Sequence, residues 1–360
     1  LAEGLNFGRG EDDNTVVITD GGVGEFDAKY TWDRGKIMSA LAAMSQSINT
    51  EATAAYAEPV TDWTQEERFI YHVGEEGITL NEEATADAIE KALEQGEFVC
   101  TVEATVNAVL PGGNIDDLKA ATSFIASYTT KFSARRDDEV KQNRKFNIQK
   151  AADIINGNTI QPGEEWSFNT VVGPRTYELG WKGANGISGG KEYTIQAGGG
   201  ICQVSTTLYN ALLCANMEIV DRRAHTIPSD YVPVGLDATV DTRGIDFVWK
   251  NNTDMPAYIF ARVEKVEGSS SRHTITVYVY GKPLPEGVTY QSRNEIIEER
   301  SRQDEAIYTN DASIPTGYQL ERVQGHKYYV AEAYQDKYVD GKLAESKLLY
   351  TDKYKGNPPE

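Results

Sequence analysis

The clearest helical periodicity in the chain follows three consecutive glycines. After Gly198-Gly199-Gly200, the apolar residues Val204, Leu208, Ala211, Leu212 and Ala215 recur at i, i+4, i+7, i+8 and i+11, one face of a helix. A shorter segment repeats the pattern with Ile148, Ala151, Ala152 and Ile155, where Asn147 reads as the cap and Gly157 as the stop. Residues 82–95 place Ala86, Ile89, Ala92 and Leu93 on one face, between Asn81 and Gly96. Residues 33–57 and 115–127 read as further helices. Period-two alternation marks strands at 98–106 around Cys100, at 257–263 and at 274–280, with shorter ones at 78–80, 218–225 and 245–248. Residues 327–338 and 343–350, joined by Asp340-Gly341-Lys342, form a hairpin, and turns at 308–311 and 314–318 punctuate further strands. Between 173 and 200, glycines alternate with Tyr177, Trp181 and Tyr193, a pattern of strand edges and a flap over a site.

The expected fold class is therefore α+β and multidomain. A chain of 360 residues is long for one domain. Residues 1–131 read as an α+β domain without a catalytic constellation: its carboxylates are scattered and His72 stands alone. The charged stretch from Ser133 to Glu139 opens a second α+β domain, 132–266, which carries the glycine triplet. From 267 to 360 the chain becomes a small all-β module with exposed tyrosines.

Charge narrows the partners. With 35 basic against 55 acidic residues the net charge is −20, which argues against nucleic acid and against a polybasic membrane surface. No apolar run approaches the length of a membrane span. The chain starts Leu-Ala-Glu, so a removed signal or anchor is expected ahead of it. Gly190-Lys191 fails the phosphate-loop pattern, because Asn185 and Glu192 stand where glycine and Ser/Thr are needed. His273 and His326 lack zinc-ligand spacing and read as surface residues, so neither metal nor cofactor is expected.

Cysteine carries the sharpest chemistry. If Cys202 and Cys214 share a helix, their Cα atoms lie roughly 18 Å apart at 1.5 Å per residue, beyond the roughly 7 Å that a disulfide spans. Cys100 and Cys214 read as buried core thiols. Cys202 instead falls at the start of its helix, where free N–H groups and the positive end of the dipole lower a thiol pKa and can hold an oxyanion. His225 follows as a base, with Arg222 and Arg223 adding positive potential. Asp230, Asp237 and Asp241 are candidates to orient it, and Asp237 stands in the site set with Cys202 and His225. Gly199, Gly200, Gln203 and Ser205 are candidate oxyanion and substrate contacts, and Arg223 can hold a carboxylate bidentately. The plain alternative is a small, buried, inert Cys202.

The runs Pro162-Gly163-Glu164-Glu165-Trp166-Ser167-Phe168-Asn169, Gly190-Lys191-Glu192, Gly198 to Asn210, and Gly235-Leu236-Asp237-Ala238-Thr239-Val240, with Phe132-Ser133, His225 and Tyr231-Val232-Pro233, resemble the VanW-like family over about residues 130–263. Residues before them resemble a peptidoglycan-binding domain found beside L,D-transpeptidase domains. The tail is similar to the G-five type of surface module. Members of the VanW-like family have been assigned as L,D-transpeptidases. The resemblance thus implies a cysteine nucleophile at Cys202 with His225, acting on peptidoglycan stem peptides outside the cell, at the wall or anchored to the membrane. A non-catalytic wall-binding or adhesion protein and a cysteine L,D-carboxypeptidase are the competing readings.

Overall fold

The computed structural model describes residues 8–9, 15–18, 24–27, 30–188, 192–321 and 325–359. The Leu1 start and the Gly190-Lys191 pair lie outside them. The fold is mixed α/β with several small sheets, and the chain divides into two compact units: residues 1–56 with 71–115, and residues 57–70 with 116–360.

In the first unit, Asp33 caps the helix Arg34–Ile48 and Asn81 caps Glu82–Glu94, each side chain accepting from helix N–H groups that would otherwise be unpaired. Ile37 and Leu41 of one helix pack with Ala86, Ile89 and Leu93 of the other and with Leu80. Arg34 reaches across to Glu83, Asp87 and Glu90. The helix expected over 33–57 stops at Ile48. The strand expected at 98–106 forms instead at Val106–Val109, because the short strand Gly77–Leu80 takes those residues as its partner. Cys100 is left exposed rather than in a core.

The second unit is built on a four-stranded antiparallel sheet. Its order is Asn158–Ile160, Ala257–Lys265, Arg272–Gly281, Ser123–Ser133. The helix expected over 115–127 ends at Ala121, since Ser123–Ser133 pairs along the whole of Arg272–Gly281 and that pairing overrides local propensity. Alternation sorts the sheet's two faces. Ile259, Ala261, Ile275, Val277 and Val279 enter the main core with Ile148, Val204 and Leu208. On the other face Phe69 packs edge-on against Tyr258, Phe260 and Tyr280, and Trp63 lies 5.4 Å from Tyr278.

Two helices cover the core face. Glu139–Ile155 is capped by Asp138, nine residues before the cap expected at Asn147, so Asn147 is an interior position of a longer helix. Ile201–Cys214 is buried from Ile201 to Leu213 apart from a half-buried Cys202. A helix surrounded on all sides belongs to a core. The expected flap is the hairpin Gly183–Ser188 with Glu192–Ala197. The strand expected to reach His225 ends at Asp221 and pairs with Val248–Lys250, which forms in place of 245–248.

In the tail, Val288–Arg300, Tyr328–Val339 and Lys342–Tyr354 form an antiparallel sheet. Asp340 (φ 50°) and Gly341 (φ 73°) make the hairpin turn between the last two strands. Residues 308–311 are irregular, hydrogen-bonded turns close at 311–314 and 315–318, and no further strand forms there among the described residues; the segment lines a cavity of about 900 Å³ whose lining includes no cysteine or histidine among them. His273 is buried and stacked on Phe132 rather than on the surface.

Phe69→Ala removes the ring that seals the sheet's outer face. Urea unfolding should show a loss of about 3 kcal/mol, within the usual range for a buried Phe→Ala change; an unchanged midpoint would mean that this face is not held by Phe69.

Candidate active site

The site begins at the glycine turn. Gly200 has φ +104°, a left-handed conformation that side chains resist, and a Cβ there would sit 2.7 Å from Arg144 Cγ. A Cβ on Gly199 would come 2.3 Å from the Ala184 carbonyl oxygen of the hairpin. The buried Asn147 side chain fastens this approach: its Nδ2 donates to the carbonyls of Gly199 (3.0 Å) and Lys182 (2.8 Å), and its Oδ1 accepts from Lys182 N–H. Within the turn, the N–H groups of Gly199, Ile201 and Gln203 donate to Gln196, Gly198 and Gly200 carbonyls. Among the described residues the N–H groups of Gly200 and Cys202 have no such acceptor. These are the two donors left for an oxyanion.

Polar side chains of the buried helix then place the rest. Ser205 Oγ donates to the Ala238 carbonyl at 2.6 Å, Thr206 Oγ1 accepts from Ala238 N–H at 3.0 Å, and Asn210 Nδ2 donates to the Leu236 carbonyl at 2.8 Å. Each of these three side chains thus bonds the facing segment, while Asn210 Oδ1 and the Tyr209 hydroxyl of the same helix are buried without a hydrogen-bond partner among the described residues. The segment from Leu236 to Val240 is thereby stitched along the helix. The Thr239 N–H donates to the Arg223 carbonyl at 2.8 Å, which carries the His225 loop alongside.

That stitching brings Cys202, His225 and Asp237 together. Asp237 Oδ2 accepts from the His225 backbone N–H at 2.7 Å and bonds the ring Nδ1, which leaves Nε2 for the Cys202 thiol. Cys202 Sγ also lies 3.3 Å from the Val240 carbonyl oxygen and 3.6 Å from Thr239 Oγ1. Burial pushes the Asp237 carboxyl up, but His225 and Arg222 outweigh it and hold it at about 2. Burial pushes His225 down, yet Asp237 on one side and Cys202 on the other keep its proton to about 10. Burial raises the Cys202 thiol, and the neighbouring imidazole outweighs that and brings it to about 7. At neutral pH the arrangement is a thiolate–imidazolium pair backed by a carboxylate.

Behind Asp237 stands a clamp. Arg222 Nε donates to the Asp237 carbonyl at 2.6 Å, its Nη2 to the Gly235 carbonyl at 2.9 Å, and its Nη1 pairs with Asp352. The fully buried Tyr354 donates its hydroxyl to Asp237 Oδ1 and accepts from Gly235 N–H at 2.9 Å. Arg222 therefore serves the carboxylate and not the thiolate.

Of the three candidate carboxylates, Asp237 is the one bonded to His225. Asp241 accepts from the backbone of Arg243 and Ile245, and Asp230 is exposed. Gln203 stands at the cleft wall with its amide spent on Thr130, Lys131 and Arg144. Ser205 is spent on the stitching. Arg223 points to solvent and lines neither cleft at the cysteine. Those two clefts, of about 530 and 500 Å³, meet at Gly200, Cys202 and His225. Lys131, Lys141 and Arg144 face the first, with Phe132 and Tyr231; Arg175 and Arg243 face the second. Sequence reading missed Arg144 and Asn147 because it started their helix too late; from the Asp138 cap they fall at i and i+3 on one face. Nothing local pointed to Arg175 or Tyr354.

A thiol at a helix start, an imidazole and a carboxylate define a thiol–imidazole–carboxylate site at the junction of two cationic clefts. Residues 143–275, which contain all three groups, match the family model described as VanW like protein. The Bacillus subtilis protein YoaR is 40% identical over 158 residues, 44% of this chain and 48% of that protein, so the match spans about half its length. The vancomycin B-type resistance protein VanW of Enterococcus faecalis is 28% identical over 222 residues, 60% of this chain and 70% of that protein. The family model and both relatives support a VanW-like assignment for this part of the chain. No solved structure matches it. No helix among the described residues is long and apolar enough to cross a membrane, and none of their His, Cys, Asp and Glu clusters could hold a metal.

The thiol titrates before the imidazolium, so Cys202 alkylation by iodoacetamide should rise through about pH 7 and stay level until His225 loses its proton near pH 10. His225→Ala should move the midpoint toward the ordinary thiol value of about 8.5; peptide mapping separates Cys202 from Cys100 and Cys214. A wild-type midpoint at the ordinary value would contradict the ion pair. Tyr354→Phe should cost about 1–3 kcal/mol in urea unfolding, the penalty for orphaning buried partners. A neutral outcome would show that Tyr354 does not clamp Asp237.

Proposed function

We propose that the chain is a cysteine acyltransferase of the bacterial cell wall, an L,D-transpeptidase that joins peptidoglycan stem peptides. The single observation that carries this reading is Cys202 at a helix start, paired with His225 and Asp237, where two clefts meet. The supported VanW-like assignment, with a relative named for vancomycin resistance, adds the wall as the place of action. In this reading 132–266 is the catalytic part, 1–131 binds wall polymer, and 267–360 is a surface module that also braces the site through Tyr354. The protein works outside the cell.

In this reading the groups of the site act in turn. The Cys202 thiolate attacks the carbonyl carbon of the third stem residue, and the N–H groups of Gly200 and Cys202 receive the oxyanion. As the tetrahedral intermediate collapses, the imidazolium of His225 gives its proton to the departing amine of the terminal D-alanine, leaving a thioester. The side-chain amine of a second stem enters, His225 takes its proton, and the amide forms as the thiolate leaves. Asp237 keeps one imidazole tautomer and one ring orientation throughout. Each group returns to its starting state.

Purified tetrapeptide muropeptides incubated with the wild-type chain should yield dimers linked between third residues by mass spectrometry, and Cys202→Ala should yield none. Tripeptides without dimers would make water the acceptor and the protein a carboxypeptidase. Stems that bind but stay intact would favour a wall-binding protein.

A further inference from the structure

One buried cation beside the triad has no assigned work. Arg175 is 8% exposed, and among the described residues it has no carboxylate at ion-pair distance. Its Nη1 donates to Asn169 Oδ1 at 2.7 Å and to the Gly173 carbonyl at 3.1 Å. Its Nε and Nη2 have no acceptor among those residues.

The nearby carboxylates are engaged elsewhere. Asp241 Oδ1 accepts from the N–H groups of Arg243 (2.8 Å) and Ile245 (2.9 Å), and Asp246 accepts from Ser167, Asn169 and Phe247. Burial works against the Arg175 charge, with Cys202, Asp246 and Asp241 favouring it only from a distance. A buried guanidinium with a free donor edge is costly unless an anion completes it.

Its place in the cleft says where that anion would sit. Arg175 lines the second cleft with Gly198, Cys202, His225 and Thr239. Glycine at 198 lets the side chain lie against the turn, since a Cβ there would come 2.9 Å from Arg175 Cβ. A planar fork with two spare donors matches a carboxylate.

We propose that Arg175 holds the terminal carboxylate of the acyl donor, so that Cys202 attacks peptides ending one residue beyond the scissile bond. This rests on the acyl-transfer reading above and gives its donor a free C-terminus. The second cleft is then the leaving-group side, and the first, with Phe132, Tyr231 and Arg144, takes the acyl part of the stem.

Iodoacetate and iodoacetamide differ mainly in charge, so their relative rates at Cys202 report an anion site. Arg175→Gln should lower the iodoacetate-to-iodoacetamide ratio about fivefold, the factor for one modest ion pair. Arg223→Gln, whose side chain is exposed and lines neither cleft, should leave the ratio unchanged. The wild-type chain supplies a second reading if Arg175→Gln does not fold: N-acetyl-D-alanine should protect Cys202 from iodoacetamide and N-acetyl-D-alaninamide should not. Cross-linked product with no carboxylate preference in either measurement overturns the role of Arg175 alone. A clear carboxylate preference with stems left intact overturns the acyl-transfer reading and the donor assignment with it.

Discussion

The site depends on one carboxylate that has almost no access to water. Asp237 is 1% exposed, and an isolated carboxylate so placed would take up a proton rather than stay charged. It stays ionised because donors surround it: the His225 backbone and ring on Oδ2, Tyr354 and Arg222 on Oδ1. The same contacts do the positioning. A single oxygen that accepts from both the N–H and the ring of His225 leaves the imidazole one way to face, toward Cys202. Arg222 ties that oxygen cage to Asp352, so the strand Lys342–Tyr354 becomes part of the support for the Cys202 site.

The helix that carries Cys202 illustrates how burial can be turned to placement. Most of its surface is apolar, and three of its buried polar residues, Ser205, Thr206 and Asn210, are used as stitches to Leu236 and Ala238. A surface helix could not hold a neighbouring segment so closely, because water would compete for each of those bonds. Only the first turn opens to the clefts. There the glycines allow backbone and side chains to approach at distances that any Cβ would block.

Charge at this site runs against the charge of the whole. The chain carries −20, yet Lys131, Lys141 and Arg144 face one cleft and Arg175 and Arg243 the other. Screening confines the reach of the exposed net charge to roughly 8 Å at physiological salt. Inside a cleft the nearby cations dominate. The combination suits an anionic peptide that is selected at the site rather than gathered by the whole surface.

Local rules read well where the chain decides locally. The glycine triplet, the helix after it, Cys202 in its first turn and the Asp340-Gly341 hairpin follow from φ requirements and periodicity that neighbouring residues set among themselves. Long-range partners overruled the same rules elsewhere. Ser123–Ser133 became a strand because Arg272–Gly281 offered it a full ladder, and Cys100 was left exposed because the edge at Gly77–Leu80 paired with other residues. The choice of Asp237 over Asp230 and Asp241, the turning of Arg222 to the carboxylate, and the arrival of Arg175 and Tyr354 at the site were likewise invisible in order. What the sequence by itself determined is the chemistry: a thiol at a helix start with an imidazole and a carboxylate to follow. Which carboxylate, which cations and which cleft were decided by the tertiary structure, because a buried charge takes whatever donor the packing brings within about 3 Å, however far away in the chain.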